Sequence, residues 1–252
     1  RYSSLSDTME NIKTQGIILR SIPYSETSSI VKILTSDQGI VSCLVQGAMR
    51  KTSKVNKFHL QNFAIVDLII FKRKSKDLYY IREAHQQYLY KTINSYPADM
   101  TKNCIFMFLN EFVNKCLKDG DTSEQLFAFL KDALITLDRE DITADFHIIF
   151  LVQLSKHLGF DFPEPTIEEY KCYNIHENVW SKEEPIHNQY ITHEFIEMIL
   201  KAKRMTYCDK IQGCNNGIQR RQLAEQMIKF YQYHIPEIGK IKSLEILSVV
   251  LN

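Results

Sequence analysis

From about residue 14 to residue 84, apolar residues recur at every second position in short runs separated by turn residues, which predicts strands rather than helices. Five runs stand out: residues 14–21 (TQGIILRS, ending before Pro23), 28–35 (SSIVKILT), 40–46, 61–71 (QNFAIVDLIIF) and 78–83. Ser36-Asp37-Gln38-Gly39 predicts a hairpin turn between the second and third runs, with Gly39 free to take a positive φ. Residues 72–77 turn the chain into the fifth. Five short strands match the OB-fold count, although a small SH3-like barrel or an open meander satisfies the same periodicity.

Beyond Pro97 the apolar period changes to about 3.6 residues. One stripe is Ile105, Leu109, Phe112, Val113 and Cys116; a second, after Thr122 or Ser123 as N-cap, runs from Leu126 to Leu137. Thr143 is placed to cap a third helix carrying Phe146, Ile149, Phe150, Leu154 and Leu158, with Gly159 ending it. Thr192 opens a fourth, Leu223, Met227, Ile228 and Tyr231 mark a fifth, and Ser243 caps a short last helix over residues 244–251. Between residues 160 and 190, Pro163, Pro165 and Pro185 interrupt any pattern. The expected architecture is α+β: an OB-fold domain over residues 9–84, then a helical domain over 85–252 with an irregular insertion near 160–190. The stripes pack together most simply as a helical core, and the same residue types would also line a groove for a partner peptide.

Composition narrows the function. The 252 residues include eight scattered glycines, and neither GxGxxG nor GxxxxGK[ST] occurs, so no phosphate-cradling nucleotide loop is expected. GxSxG and HExxH are also missing, and the acidic pairs Glu168-Glu169 and Glu183-Glu184 are adjacent residues whose side chains diverge. A non-catalytic protein is expected. Six dispersed cysteines read as reduced thiols, and no apolar run approaches the roughly 18 residues of a membrane span. With no apolar leader in the first ten residues, a cytoplasmic protein is expected; residues 1–8, polar and unpatterned, read as preceding a start at Met9. Cys172, His176, His187 and His193 fall near one another in the chain, but without the paired CxxC spacing of a structural zinc site. Cys208 and Cys214 read as structural or incidental.

The formal net charge of +1 conceals an asymmetry. Residues 9–83 carry twelve basic against six acidic side chains, +6, and residues 84–252 carry eighteen against twenty-three, −5. The cations concentrate in two connections: Arg50, Lys51, Lys54 and Lys57 between the third and fourth strands, and Lys72, Arg73, Lys74 and Lys76 between the fourth and fifth. Loops at the mouth of an OB barrel commonly grip single-stranded nucleic acid, and clustered cations there release counterions from phosphates. Arg20 and Arg82 join this set, and Tyr80, on the same strand face as Arg82, is a candidate base platform. A merely solvated loop surface and a packed tyrosine are the bland alternatives.

Gly16-Ile17-Ile18-Leu19-Arg20, Pro23-Tyr24-Ser25-Glu26-Thr27-Ser28, Gly39, Gln46-Gly47-Ala48-Met49-Arg50-Lys51 and Leu60-Gln61-Asn62-Phe63 together resemble the N-terminal domain of the RecO family. Leu158-Gly159-Phe160, Phe230-Tyr231, His234-Ile235-Pro236 and Lys242-Ser243-Leu244-Glu245 extend the likeness to the end of the chain. The resemblance implies an OB fold, a helical domain, and a nucleoid-associated mediator of DNA repair and recombination. It further implies binding of single- and double-stranded DNA, annealing of complementary strands, and partnership with RecR and the acidic tail of single-stranded DNA-binding protein. Many members hold zinc through four cysteines; at most Cys172 stands in that region here, and no cofactor is expected. Some members carry Lys where Gln46 stands and Pro where Asn62 stands. For the acidic tail, charge alone nominates Lys201, Lys203, Arg204, Arg220 and Arg221. The rival readings are a protein-binding adaptor built on an OB barrel and an RNA-binding OB protein.

Overall fold

The computed structural model describes residues 11–46, 55–72, 78–93, 99–118 and 124–251. The chain folds into two compact units, residues 1–90 with 117–132 and residues 91–116 with 133–252.

The first unit is a closed barrel of β1 (Asn11–Ser25), β2 (Ser28–Thr35), β3 (Ile40–Gln46), β4 (Ile65–Lys72) and β5 (Tyr79–Gln86), in the order β1-β2-β3-β5-β4, with β4 returning to β1. All neighbours run antiparallel except β3 and β5, which pair in parallel through Cys43↔Tyr79 and Leu44↔Tyr80. A 3-10 turn, Lys57–Leu60, lies between β3 and β4. This is the OB-fold topology. Alternation along each strand turns Ile18, Val31, Ile33, Cys43, Val45, Val66, Leu68, Ile70 and Ile81 into the barrel core. Gly39 turns the β2–β3 hairpin at φ +68°, a left-handed conformation that would crowd a Cβ.

Several strand limits differ from the sequence reading: β1 begins three residues earlier, at Asn11, and β5 runs on to Gln86, and two further differences have a local cause. β1 continues through Pro23 to Ser25, because Pro23 sits next to a register irregularity, where the ladder does not need the N–H that proline lacks. The fourth strand begins at Ile65 instead of residue 61, since Phe63 takes φ +59° and breaks the extended run.

α1 (Met100–Cys116) belongs to the second unit, and α2 (Glu124–Arg139) contributes its beginning to the first unit and its end to the second. The second unit continues with α3 (Phe146–His157), α4 (His193–Ala202), α5 (Gly217–His234) and α6 (Ser243–Val250). Phe108, Phe112, Phe146, Phe150, Phe162, Phe230 and Tyr231 are fully buried, and the Tyr231 hydroxyl donates to the Leu151 carbonyl at 2.7 Å.

Long-range caps tie these helices together through α1. Lys102, near its start, is buried and donates to the carbonyls of Asp138 (3.1 Å) and Glu140 (2.9 Å), satisfying acceptors at the end of α2. Glu111 accepts the amides of Lys242 (3.0 Å) and Ser243 (2.8 Å) at the start of α6. The expected Ser243 cap is therefore replaced by a carboxylate from another helix, to which the Ser243 hydroxyl itself donates. At α3 the N-cap is Asp145 instead of Thr143, whose hydroxyl accepts the Asp145 amide at 3.3 Å. Thr192 does sit at the N-cap of α4, but its side chain makes no capping bond there. Thr122 and Ser123 lie outside the described residues.

The segment that lacks a sequence pattern contains a small sheet, β7 (Val179–Ser181), β6 (Cys172–Asn174) and β8 (Tyr190–Thr192) in spatial order. Three-residue strands are too short to register a period of two. The Asn174 side chain accepts the amides of His176 and Glu177, forming the turn that reverses β6. The aromatic rings of Tyr170, Tyr173 and Trp180 fill this sheet's neighbourhood, with Tyr173 and Trp180 centroids 5.0 Å apart.

Candidate nucleic-acid interface

On the outer face of the barrel, strand register sets polar residues in a row across three strands. Arg20 on β1 lies opposite Lys32 on β2, and Lys32 lies opposite Ser42 on β3. Two cations directly opposite each other repel and destabilise a bare sheet. Together with Ile22, Ile30, Leu117 and Lys118 they line a recess of about 350 Å3. The Lys32 ammonium donates to the Leu117 carbonyl at 2.8 Å, which fixes it at the edge of this recess. The arrangement suits an anion with several oxygens, such as a backbone phosphate.

A second row runs beside the first: Ile22 pairs with Ile30, Ile30 with Leu44, Leu44 with Tyr80, and Tyr80 with Phe71, so these residues cross all five strands. Phe71 and Tyr80 stack at 5.3 Å between centroids with an 18° interplanar angle. The Arg82 guanidinium lies over the Phe71 ring, 5.4 Å from its centroid. Lys72 lies 5.7 Å from the centroid of the Tyr79 ring.

Of the residues nominated from sequence, Arg20, Lys72 and Arg82 are exposed on the barrel, and Arg20 shares the recess just described. Tyr80 needs correcting as a base platform: it is only 5% exposed, and its ring packs on Phe71 within the outer row. Lys57 opens the 3-10 turn. Arg50, Lys51 and Lys54, and Arg73, Lys74 and Lys76, lie outside the described residues.

Lys32, Ser42 and Lys118 escaped the sequence reading. Counting back from the Glu26-Thr27 turn puts Lys32 opposite Ser21; the register irregularity between Pro23 and Ser25 moves it opposite Arg20, so register counting alone misses the pair. Nothing local announces that Leu117 and Lys118, some 85 residues further on, join them.

In the second unit, two of the five nominated cations are committed to the fold. Arg220 pairs with the buried Asp145 at 2.8 Å and donates to the Leu251 carbonyl at 2.8 Å; the other Asp145 oxygen accepts the Ile211 amide. Lys203 pairs with Asp161 at 3.1 Å. Arg204 meets Glu164 and Arg221 meets Glu225 in exposed ion pairs, and Lys201 is exposed on α4.

The residues between 160 and 192 do not compose a four-thiolate metal site. Cys172 is the sole cysteine there, its Sγ is 3.4 Å from the Glu183 carbonyl, and aromatic side chains pack the sheet around it. His176 and His187 place their rings 5.7 Å apart, and His193 packs on Tyr170. Cys208 is exposed and Cys214 buried.

An OB barrel followed by a helical unit, with cations gathered on the barrel's outer face, defines the class. Two family profiles place the chain within it: Recombination protein O N terminal matches residues 9–89 and Recombination protein O C terminal matches residues 97–163. The chain belongs to the RecO family. It is 30% identical to the DNA repair protein RecO of Phocaeicola vulgatus over 94% of this chain and 97% of that protein. It is 28% identical to those of Bacteroides fragilis (94% and 97%) and Flavobacterium johnsoniae (96% and 99%). Among the described residues no helix is long and apolar enough to cross a membrane.

Proposed function

We propose that this protein is a non-catalytic DNA-binding mediator of recombinational repair in the cytoplasm. In this reading the barrel holds single strands by their phosphates, lets complementary strands anneal, and, together with RecR, helps to load recombinase onto strands coated by single-stranded DNA-binding protein. The observation that carries it is the opposed Arg20–Lys32 pair lining a recess on the barrel of a RecO-family chain. Cations at that spacing neutralise the charge of two approaching backbones, while base pairing supplies the specificity. The basic connections with Arg50, Lys51, Lys54 and Lys57 and with Arg73, Lys74 and Lys76 extend the same field along the chain. Contact with the acidic tail of the single-strand binding protein falls to the cations that the fold leaves exposed, Lys201, Arg204 and Arg221.

The test is affinity for an unpaired oligodeoxythymidylate strand across a range of salt. Log affinity should fall with log salt by about 0.7 per phosphate contacted. Replacing Arg20, Lys32, Arg50, Lys51, Lys54 and Lys57 by Glu should flatten that line. Tight binding that ignores both salt and these changes overturns the reading, and a strong preference for ribose strands converts it to RNA binding.

A further inference from the structure

The β5 ladder slips between Ile81 and Glu83: Ile70 pairs with Ile81 and Ile69 with Glu83, leaving Arg82 as the extra residue of a bulge. The bulge breaks the strand's alternation: Ile81 and Ala84, three residues apart, both face the barrel core, and Arg82 between them is exposed. The exposed guanidinium does not trail into solvent. It lies over Phe71, and Phe71 in turn stacks on the buried Tyr80, so the three groups form a layer with Arg82 as its accessible face.

No carboxylate among the described residues pairs with Arg82, and the guanidinium is held by aromatic packing. A planar cation fixed in this way presents a flat π surface and outward N–H donors. Unpaired nucleobases stack on guanidinium planes as they do on aromatic rings, and the edge donors can meet the adjoining phosphate. A lysine ammonium at the same place would keep the charge and lose the plane.

We propose that Arg82, supported from beneath by Phe71 and Tyr80, is a stacking site for one unpaired base, so that this part of the barrel distinguishes single strands from duplex. The inference rests on the nucleic-acid reading given above. It turns the expected tyrosine platform into an arginine platform whose tyrosine is the buried foundation. Because every base has a π face, the site selects for unpairing and not for sequence.

The experiment compares wild type, Arg82→Lys and Phe71→Leu in binding an oligodeoxythymidylate strand carrying one fluorescent purine analogue whose emission is quenched by stacking. A matched duplex serves as the second ligand. Arg82→Lys should weaken single-strand binding about fivefold to tenfold, the scale of one lost base stack. It should relieve the quenching while leaving the salt slope and the duplex affinity at wild-type values. Phe71→Leu should reproduce the loss of quenching with the Arg82 charge intact, its fold being checked by thermal unfolding. Wild-type single-strand affinity and quenching in Arg82→Lys overturn the stacking site alone. A parallel loss of single-strand and duplex affinity with a shallower salt slope also overturns it, by making Arg82 a simple phosphate contact. Failure of the wild type to bind either ligand overturns the nucleic-acid reading itself, and the stacking site with it.

Discussion

Glu111 on α1 accepts both the amide and the hydroxyl proton of Ser243 at the start of α6, over 2.8 and 2.6 Å. Burial would raise this carboxyl, but the hydrogen bonds from Ser243, Lys242 and Lys115 outweigh it and hold the group down at about 2. The depressed value means that the bond to α6 contributes fully above the ordinary glutamate range, from 4.5 upward, and is lost as pH falls from there toward 2. Glu111→Gln should cost about 1–2 kcal/mol at neutral pH and flatten the acid limb of the stability curve, measured by urea unfolding from pH 6 to 3.

Asp138 performs the same service for a connection. Its buried carboxylate accepts the amides of Lys91, Thr92 and Ile93 and the hydroxyl of Thr92, all between 2.8 and 3.2 Å. Asp138→Ala would strand these donors, and a loss of roughly 3 kcal/mol of unfolding free energy is expected. Faster amide exchange at Thr92 and Ile93 in the variant would tie the loss to this connection.

His147 should make the second unit acid-sensitive in a higher window. It is fully buried, edge-on to Phe108, and its Nδ1 has no hydrogen-bond partner among the described residues. Burial first, and the Arg220 charge second, push it down to about 3, below the ordinary 6.5. The unfolded chain therefore binds the proton more readily. Stability is full above 6.5 and declines as pH falls toward 3, by about 2 kcal/mol at pH 5. His147→Phe should remove most of the change between pH 7 and pH 5, as read by thermal unfolding.

Gly16 is required by space, not by φ. A Cβ there would stand 2.7 Å from Ile33 Cγ2 and 2.7 Å from Leu68 Cδ1, inside the barrel core. Gly16→Ala should destabilise the barrel by about 1–3 kcal/mol in chemical denaturation.

Lys32 offers a cleaner probe of the recess than the loops do. Because its ammonium is held by the Leu117 carbonyl, Lys32→Met keeps the stem packed and removes the charge. Single-strand affinity should fall by severalfold and the salt slope should shrink by about 0.7, with unfolding little changed.

Sequence periodicity was informative where elements were long. The alternation of Ile, Val and Leu placed all five barrel strands, and the 3.6-residue stripes placed the α-helices of the described residues. It was silent where the structure depends on distant partners. Glu111 reaching Ser243, Asp138 reaching Thr92 and Lys32 reaching Leu117 are separated by 132, 46 and 85 residues, and no local rule links them. The face of β5 was legible as an alternating strand, but its bulge was not, because a single extra residue leaves the composition of a strand unchanged. For the same reason Arg82 and Tyr80 were both nominated as surface residues, yet only Arg82 is exposed.

The parallel seam between β3 and β5 has a dynamic consequence. Cys43↔Tyr79 and Leu44↔Tyr80 are the pairings that join these strands among the described residues, whereas every other neighbouring pair is joined along most of its length. A barrel opens most easily at its shortest seam, so sub-global breathing should begin there. Tyr80 sits at that seam opposite Leu44 of β3, while its ring stacks on Phe71 of β4, across the ladder on the other side of β5. A base settling on Arg82 would load that stack, so strand capture bears on Tyr80, one of the two β5 residues that hold the seam.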